Sequence, residues 1–314
     1  METQQKQLDV IIPVYKPGRE FLQLIERLQE QEEPINRIII MNTEEKYFEQ
    51  LIYGTNFYEK YTNVSVYHVS KREFDHGRTR HLGVLKSTAP YFLMMTQDAM
   101  PVDRQLTATM LKALSEEKIA AVYARQLPRE DCEEAERFTR CFNYPDTSRI
   151  KTKEDLPELG IKTYFCSNVC AAYNRAVYDE LGGFIRNTIF NEDMIYAAKA
   201  VKKGYGIAYC AEAQVIHSHN YTGGEQFHRN FDLGVSQADH PEIFAEVPSE
   251  SEGIRMVRLT AAHLKNIGQR RKIPRLIYVS GCKYLGYLMG KKYKKLPRKL
   301  VMKCTMNREY WKKK

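Results

Sequence analysis

Three short stretches carry side chains whose type and spacing suit chemistry. In "YFLMMTQDAMP" (residues 91–101) an apolar run leads into Thr96-Gln97-Asp98 and stops before Pro101, leaving one carboxylate at the tip of a predicted buried strand. In "AEAQVIHSHNYT" His217 and His219 follow a second strand pattern, and alternate residues of extended chain share a face. In "FNEDMIYAAKAVKKG" Glu192 and Asp193 open a predicted helix, with Ile195, Ala198 and Val201 following at helical spacing. A carboxylate with imidazoles offers oxygen and nitrogen donors that suit Mg²⁺ or Mn²⁺. Such an ion stabilises negative charge that develops on bound oxygen atoms. Carboxylates at a helix N-terminus are kept ionised by the dipole, the state a general base needs. Each stretch also has a plainer reading. Asp98 can cap a turn before Pro101, two histidines can end a strand, and acids in a first helical turn can simply complement the dipole.

A fourth stretch, "EFDHGRTR", holds Asp75, His76, Arg78 and Arg80 around Gly77, which lets backbone approach closely. Arginines can pair with an oxyanion in bidentate fashion, although Arg78 equally fits a solvated helix charge. "CSNVC" (Cys166, Cys170) with Cys210, His217 and His219 has an unusual spacing for zinc, and the cysteines read as small buried residues. Seven cysteines, an odd number, read as free thiols rather than a disulfide framework.

These side chains need elements to position them. "LDVIIPVY", "INRIIIMN", "VSVYHVS", "YFLMMTQD" and "IAAVYARQL" read as strands. "REFLQLIERLQEQ", "YFEQLIYGTNFYEKY", "HGRTRHLGVLKST" and "RQLTATMLKALSEE" read as the helices between them. That alternation predicts an α/β domain with a mostly parallel sheet and helices on both faces. Parallel sheets bind ligands beyond the carboxyl ends of their strands. There lie "PVYKPG", "MNTEE", "KREFDHG" and "TQDAMP". Neither the dinucleotide fingerprint G-x-G-x-x-G nor the phosphate loop G-x-x-x-x-G-K-[ST] is present, so a nucleotide would be held in another way.

Charge is uneven. From Arg271 to Lys314 there are 15 Lys and Arg against one acid, Glu309; that stretch carries +14, and the total of +9 leaves −5 for the other 270 residues. A run of about 18 apolar residues is absent, so no spanning helix is expected. The polar N-terminus lacks a signal-peptide core, and a cytoplasmic location is expected. The basic tail mixes Leu, Ile, Tyr, Met and Trp311 with lysines, a composition suited to an anionic membrane surface. The alternatives are a solvated or homo-oligomer-forming helical appendage, or nucleic-acid binding, for which no motif is visible and against which the acidic remainder argues.

In order along residues 8–235, "VIIPVYK", "HGRTRHLGVLKSTAPYFLMMTQDAMP", "AAYNRAVYDELGGF" and "NEDMIYAAKAVKKGYGIAYCAEAQVIHSHNYT" resemble the landmarks of inverting family-2 glycosyltransferases with the GT-A fold. "TQDAMP" and "HSHNYTGGEQFHRNFDLG" look most like bacterial rhamnosyltransferases that build cell-surface polysaccharides. The chain departs from the family pattern in three places. His81 follows Arg80 where an asparagine is usual, Thr96 replaces the first acid of the D-x-D metal motif, and Asn42 stands for the acid that contacts the pyrimidine base.

The resemblance implies a GT-A catalytic domain over 1–235 and a basic, amphipathic helical extension over 236–314. It implies a divalent metal, Mg²⁺ or Mn²⁺, on Asp98 with His219 or His217. Asp193 is the expected base beside Glu192. Pro13, Tyr15, Asn42, Asp75, His76, Arg78, Arg80, Gln97 and Asp98 would line the nucleotide-sugar donor. Ser167, Asn168, Gly183 after Gly182, and Arg229 would face the acceptor, with Gln226 and Asp232 as further polar candidates on a covering helix. The expected donor is dTDP-β-L-rhamnose and the expected acceptor a lipid-linked glycan at the inner face of the membrane. A UDP-hexose or UDP-N-acetylhexosamine donor, or a noncatalytic nucleotide-sugar or glycan-binding role, are the alternatives.

Overall fold

The computed structural model describes residues 8–245 and 250–313. Its first half comprises β1 (Leu8–Tyr15), α1 (Arg19–Gln29), β2 (Ile35–Thr43), α2 (Glu45–Ile52), α3 (Phe57–Lys60), β3 (Val64–Val69), α4 (His76–Lys86), β4 (Tyr91–Met95), β5 (Met100–Pro101), α5 (Leu106–Leu114) and β6 (Ile119–Leu127). The second half adds α6 (Glu134–Asn143), β7 (Arg149–Lys151), α7 (Leu156–Leu159), β8 (Cys170–Asn174), α8 (Arg175–Glu180), α9 (Glu192–Lys202), β9 (Gly206–Ile216) and α10 (Gly223–Asp239). There follow α11 (Pro241–Phe244), α12 (Glu250–Asn266), α13 (Ile273–Lys291), α14 (Arg298–Cys304) and α15 (Arg308–Lys313). The single helix expected across residues 47–61 is two, α2 and α3. They part near Gly54, whose φ of 72° lies outside any right-handed helix.

One sheet of nine strands runs β3-β2-β1-β4-β8-β6-β9-β5, with β7 also on β9. β3, β2, β1 and β4 are parallel neighbours. β6 and β9 are parallel too. Between these two groups β8 lies antiparallel to both β4 and β6, so the strand that follows β4 in sequence is not its neighbour in space. β8 begins Cys170-Ala171-Ala172, three small buried residues that fit a central strand covered on both faces. The order reverses around β1, with β2 and β3 on one side and β4 on the other. The topological switch point of the sheet, where open α/β sheets bind ligands beyond the carboxyl ends of their strands, therefore lies between β1 and β4.

The two faces carry separate cores. Val10, Ile12 and Val14 of β1 pack with Phe21, Leu24 and Leu28 of α1. Ile11 turns the other way, onto Ile39, Met41 and Val84. Because both faces are covered, these strands read as unbroken apolar runs rather than as polar alternation.

The basic tail is folded against this body. At Gly286 and Gly290 of α13 an added Cβ would lie 2.2 Å from the Phe227 carbonyl oxygen and 2.1 Å from that of Phe231, so α10 and α13 touch backbone to backbone. α14 and α15 close over α10, burying Val301, Tyr310 and Trp311 with Phe231, Val235 and Ile189. Trp311 is thus spent on internal packing and is not presented to a membrane. The division expected between residues 235 and 236 falls inside α10, whose 17 residues are unbroken. Among the described residues, no helix is long and apolar enough to cross a membrane.

Candidate active site

The four loops expected on one sheet edge are tied in pairs. Gln97 accepts from the Tyr15 backbone N–H at 2.8 Å and donates to the Tyr15 carbonyl at 3.2 Å, locking the end of β1 to the turn after β4. Glu44 accepts from Lys71 N–H at 2.6 Å, joining the loops after β2 and β3. Gln97, expected on the donor, therefore spends its amide on holding the edge. Tyr15 stays exposed there, edge-on to Tyr47 at 5.6 Å between ring centroids, with Lys16 near both rings. Pro13 lies one turn of the strand further in, half-buried.

Beyond the tip of β4, Asp98 meets the two histidines that follow β9. Its Oδ2 lies 3.2 Å from His219 Nε2 and 3.6 Å from His217 Nε2. The two Nε2 atoms face each other at 3.1 Å. Protonation at His217 follows from its neighbours. Gln126 Oε1 accepts from Arg140 Nη1 at 2.6 Å, while Gln126 Nε2 donates to Ser167 Oγ at 3.0 Å, so the amide cannot be reversed. That oxygen also lies 3.2 Å from His217 Nδ1, which must then carry the proton. A neutral His217 presents a bare Nε2 to the cluster, and burial drives its pKa down to about 3 despite the Asp98 charge. Burial alone would raise Asp98, but the hydrogen bond from His219, with the histidines beside it, holds it well below the usual range. A carboxylate oxygen and two imidazole nitrogens, all within 4.8 Å of one another, make a donor set that fits a divalent cation. Gln126 then acts as the outer partner that fixes the tautomer of a ligand.

The same glutamine leads to the acids. Ser167, its acceptor, precedes Asn168, whose backbone N–H donates to Asp193 Oδ2 at 3.0 Å and whose Nδ2 donates to Glu192 Oε1 at 3.1 Å. Tyr173 on β8 fixes Asn168 by donating to its Oδ1 at 2.7 Å. Arg80 Nη1 lies 3.2 Å from Glu192 Oε1 and 3.3 Å from His76 Nδ1. The adjacent acids are driven apart. Burial would raise Glu192, but Arg80, His76 and Asn168 leave it below the ordinary carboxylate value. Burial, and then the Glu192 charge, push Asp193 up to about 7. Two carboxylates pushed in opposite directions are the pattern of a divided acid–base role. Asn191, just before them, holds a left-handed φ of 64°, a conformation that costs free energy and recurs at functional sites.

The remaining candidates fall into place around this chain of contacts. Asn42 is fully buried at the end of β2, with Nδ2 2.9 Å from His68 Nδ1 and its Oδ1 without a partner among the described residues. Asp75 caps α4, accepting from Arg78 N–H at 2.9 Å and from Thr188 N–H at 3.2 Å. One oxygen thus caps α4 while the other pins the segment leading into Glu192, and burial pushes its pKa up to about 6. Arg78 points outward beside Arg72 and Lys313, away from buried Arg80. Gly183 has φ +69° and packs on the Tyr178 ring, so its place in the structure is that of a turn residue. Arg229 lies over Phe190 at 4.7 Å and near Tyr221 at 5.7 Å, with no carboxylate partner among the described residues. Asp232 turns away and anchors the tail, accepting from Thr305 Oγ1, Met306 N–H and Asn307 N–H. Gln226 bonds within its own helix, to Asn230. Cys166, Cys170 and Cys210 are buried free thiols, and among the described residues none belongs to a metal-competent group.

Sequence reasoning missed Gln126, Arg140 and Tyr173. A glutamine inside the apolar strand "IAAVYARQL" was the available signal, since a buried amide demands partners.

Residues 9–182 match the family described as glycosyl transferase family 2. Over 307 residues the chain is 37% identical to the O-antigen chain rhamnosyltransferase RfbN of Salmonella typhimurium, covering 97% of this chain and 96% of that one. It is 37% identical over 306 residues to the O-antigen chain rhamnosyltransferase WbaN of Salmonella anatum, covering 96% and 95%. Among solved structures it is similar to the mannosyltransferase PcManGT from Pyrobaculum calidifontis in complex with GDP-Man and Mn²⁺. That likeness has a TM-score of 0.56 and 14% identity, over 98% of this chain and 85% of that one. It is also similar to S. aureus TarS 1-349 in complex with UDP-GlcNAc, with a TM-score of 0.52 and 12% identity over 92% and 91%. These structural likenesses establish the GT-A fold.

Proposed function

The chain belongs to glycosyl transferase family 2 and is a glycosyltransferase; we propose that it transfers L-rhamnose from dTDP-β-L-rhamnose to a hydroxyl of a growing lipid-linked surface polysaccharide, with inversion to an α-L-rhamnoside. The observation that carries the sugar assignment is 37% identity, over nearly the whole chain, to two proteins named as O-antigen chain rhamnosyltransferases.

Asp193 takes the proton of the acceptor hydroxyl. The hydroxyl oxygen bonds to the anomeric carbon as the bond from that carbon to the diphosphate oxygen breaks, and dTDP leaves. Asn168 orients the base through its backbone N–H, and Tyr173 fixes Asn168. Arg80 keeps Glu192 ionised, and the Glu192 charge in turn raises the proton affinity of Asp193. Asp98, His217 and His219 would hold Mg²⁺ or Mn²⁺, which when bound would offset the charge gathering on the departing diphosphate. Tyr15 and Asn42 lie on the side of the pyrimidine base, and Arg229 adds a cation facing the cluster. The enzyme would work at the inner membrane face, with its basic extension toward anionic lipid.

The test is nucleotide release by the purified protein from dTDP-rhamnose and a panel of UDP-sugars, with Mn²⁺ or Mg²⁺ and again with EDTA. Metal-dependent release of dTDP from dTDP-rhamnose, in preference to the others, is expected. Release from a UDP-sugar alone would refute the rhamnose assignment and keep the reaction class.

A further inference from the structure

Lys151, the last residue of β7, is only 4% exposed. β7 is held by β9, with Lys151 opposite Ile207. The side chain runs inward. Its Nζ lies 4.7 Å from the centre of the Tyr123 ring on β6 and 5.7 Å from that of Phe165. Nζ donates to the Lys162 carbonyl at 3.1 Å and to the Phe165 carbonyl. It has no ion pair among the described residues. Asp155, the acid whose charge acts on it, lies 2.6 Å from Arg149 instead.

Burial lowers the Lys151 pKa to about 7, so the protein keeps an amine where its charged form is costly. A methionine of similar length would pack between the same rings without that cost. What the ammonium adds is a grip on two carbonyls, because charge-assisted hydrogen bonds are roughly twice as strong as neutral ones.

Both carbonyls belong to the segment that leads to the acids. Gly160–Tyr164 form a short turn of helix, Phe165 continues in extended conformation, and Cys166, Ser167 and Asn168 come next. Gln126 and Tyr173 hold the far end of this segment, at Ser167 and Asn168. Lys151 holds its near end, at Phe165. Asn168 then donates from its backbone to Asp193 and from its side chain to Glu192. That backbone N–H favours the charged form of Asp193, against the rise that burial and Glu192 produce.

We propose that Lys151 is a positioning residue for the base: by gripping the Lys162 and Phe165 carbonyls it fixes the backbone at Ser167 and Asn168, and with it the hydrogen bond from the Asn168 N–H to Asp193. This rests on the reading of Asp193 as the base of a glycosyltransferase and adds the group that keeps its donor in place. Asp193 is faced by Glu192 on its own helix, Arg80 on α4, Tyr144 after α6, Cys166 before β8 and Tyr173 on β8. None of these side chains is altered when Lys151 is replaced, so a shift at Asp193 reports the segment between them.

Lys151→Met keeps the stem and removes the grip, while Lys151→Arg keeps a cation with donors for both carbonyls. Both are made in the full chain, and thermal melts check folding. The first readout is the titration of the Asp193 carboxyl, followed by NMR in protein with isotopically labelled aspartate; its signal is the one missing from Asp193→Asn. In Lys151→Met the Asp193 pKa is expected to rise by about one unit, the equivalent of one hydrogen bond to a carboxylate. The second readout is transfer. In Lys151→Met kcat is expected to fall about 10–100-fold and its acid limb to move to higher pH, with the donor KM close to normal. Lys151→Arg is expected to restore most of both. An unchanged Asp193 titration in folded Lys151→Met would overturn the proposal, whatever happens to kcat. A Lys151→Met protein that does not fold, or an equal loss in both variants, would make Lys151 a packing residue and overturn it as well. The titration needs no nucleotide-sugar, so absence of transfer by the unaltered protein would count against the glycosyltransfer reading and leave the Lys151 result standing.

Discussion

Replacing Gln126 tests whether the site is wired as the hydrogen bonds indicate. Its amide is 2% exposed and serves three partners: Arg140, His217 and Ser167. In Gln126→Leu the His217 Nδ1–H faces an apolar side chain. A buried donor left without an acceptor costs about 1–3 kcal/mol. The ring can avoid that cost by moving its proton to Nε2, but that nitrogen is then closed to a cation. Either way, the loss should appear in metal affinity. Removing an outer partner of a ligating histidine weakens binding about 10–100-fold, equivalent to about 1.4–2.8 kcal/mol, so the two routes agree. Arg140 keeps Glu136 at 2.5 Å, which limits the damage to folding. Gln126→Glu retains both acceptor roles and asks only that the Ser167 hydroxyl turn to donate. The assay is calorimetric titration of Mn²⁺ into each protein in the presence of dTDP, with a thermal melt to confirm folding. Weak binding in Gln126→Leu and near-normal binding in Gln126→Glu are expected. Unchanged affinity in Gln126→Leu, or an equal fall in both, would refute the tautomer argument.

Three other perturbations probe separate parts of the molecule. Asp193→Asn should lower transfer by about 10²–10⁴-fold while dTDP-sugar binding, followed by calorimetry, stays close to normal; retained turnover would remove Asp193 as base. Because burial and then the Glu192 charge raise Asp193 to about 7, its basic form is lost as pH falls through that value, and the acid limb of kcat/KM should lie there. Glu192→Gln removes the neighbouring charge and should move that limb to lower pH, and an unmoved limb would detach it from Asp193. Asp232→Ala deprives Thr305, Met306 and Asn307 of their shared acceptor at a cost of about 1–3 kcal/mol. Its melting temperature should fall and limited proteolysis near Thr305 should speed up, whereas an unchanged digest would mean the tail is held elsewhere.

Local patterns along the chain mark the elements and the endpoints of the chemistry. Period and composition are local properties, so β4 ending before Asp98, α9 opening on Glu192 and Asp193, and β9 ending before His217 were all legible. The rest was decided by contacts far apart in the chain. Gln126 and His217 are separated by 91 residues, and Asp232 and Thr305 by 73. No local pattern ties such pairs together. The antiparallel insertion of β8 is of the same kind, because small apolar residues fit a central strand without naming its neighbours. Trp311 shows the limit most plainly. Composition marks it as amphipathic and fit for a membrane, but only packing against α10 buries it, because an apolar side chain joins whichever apolar surface the fold brings to it.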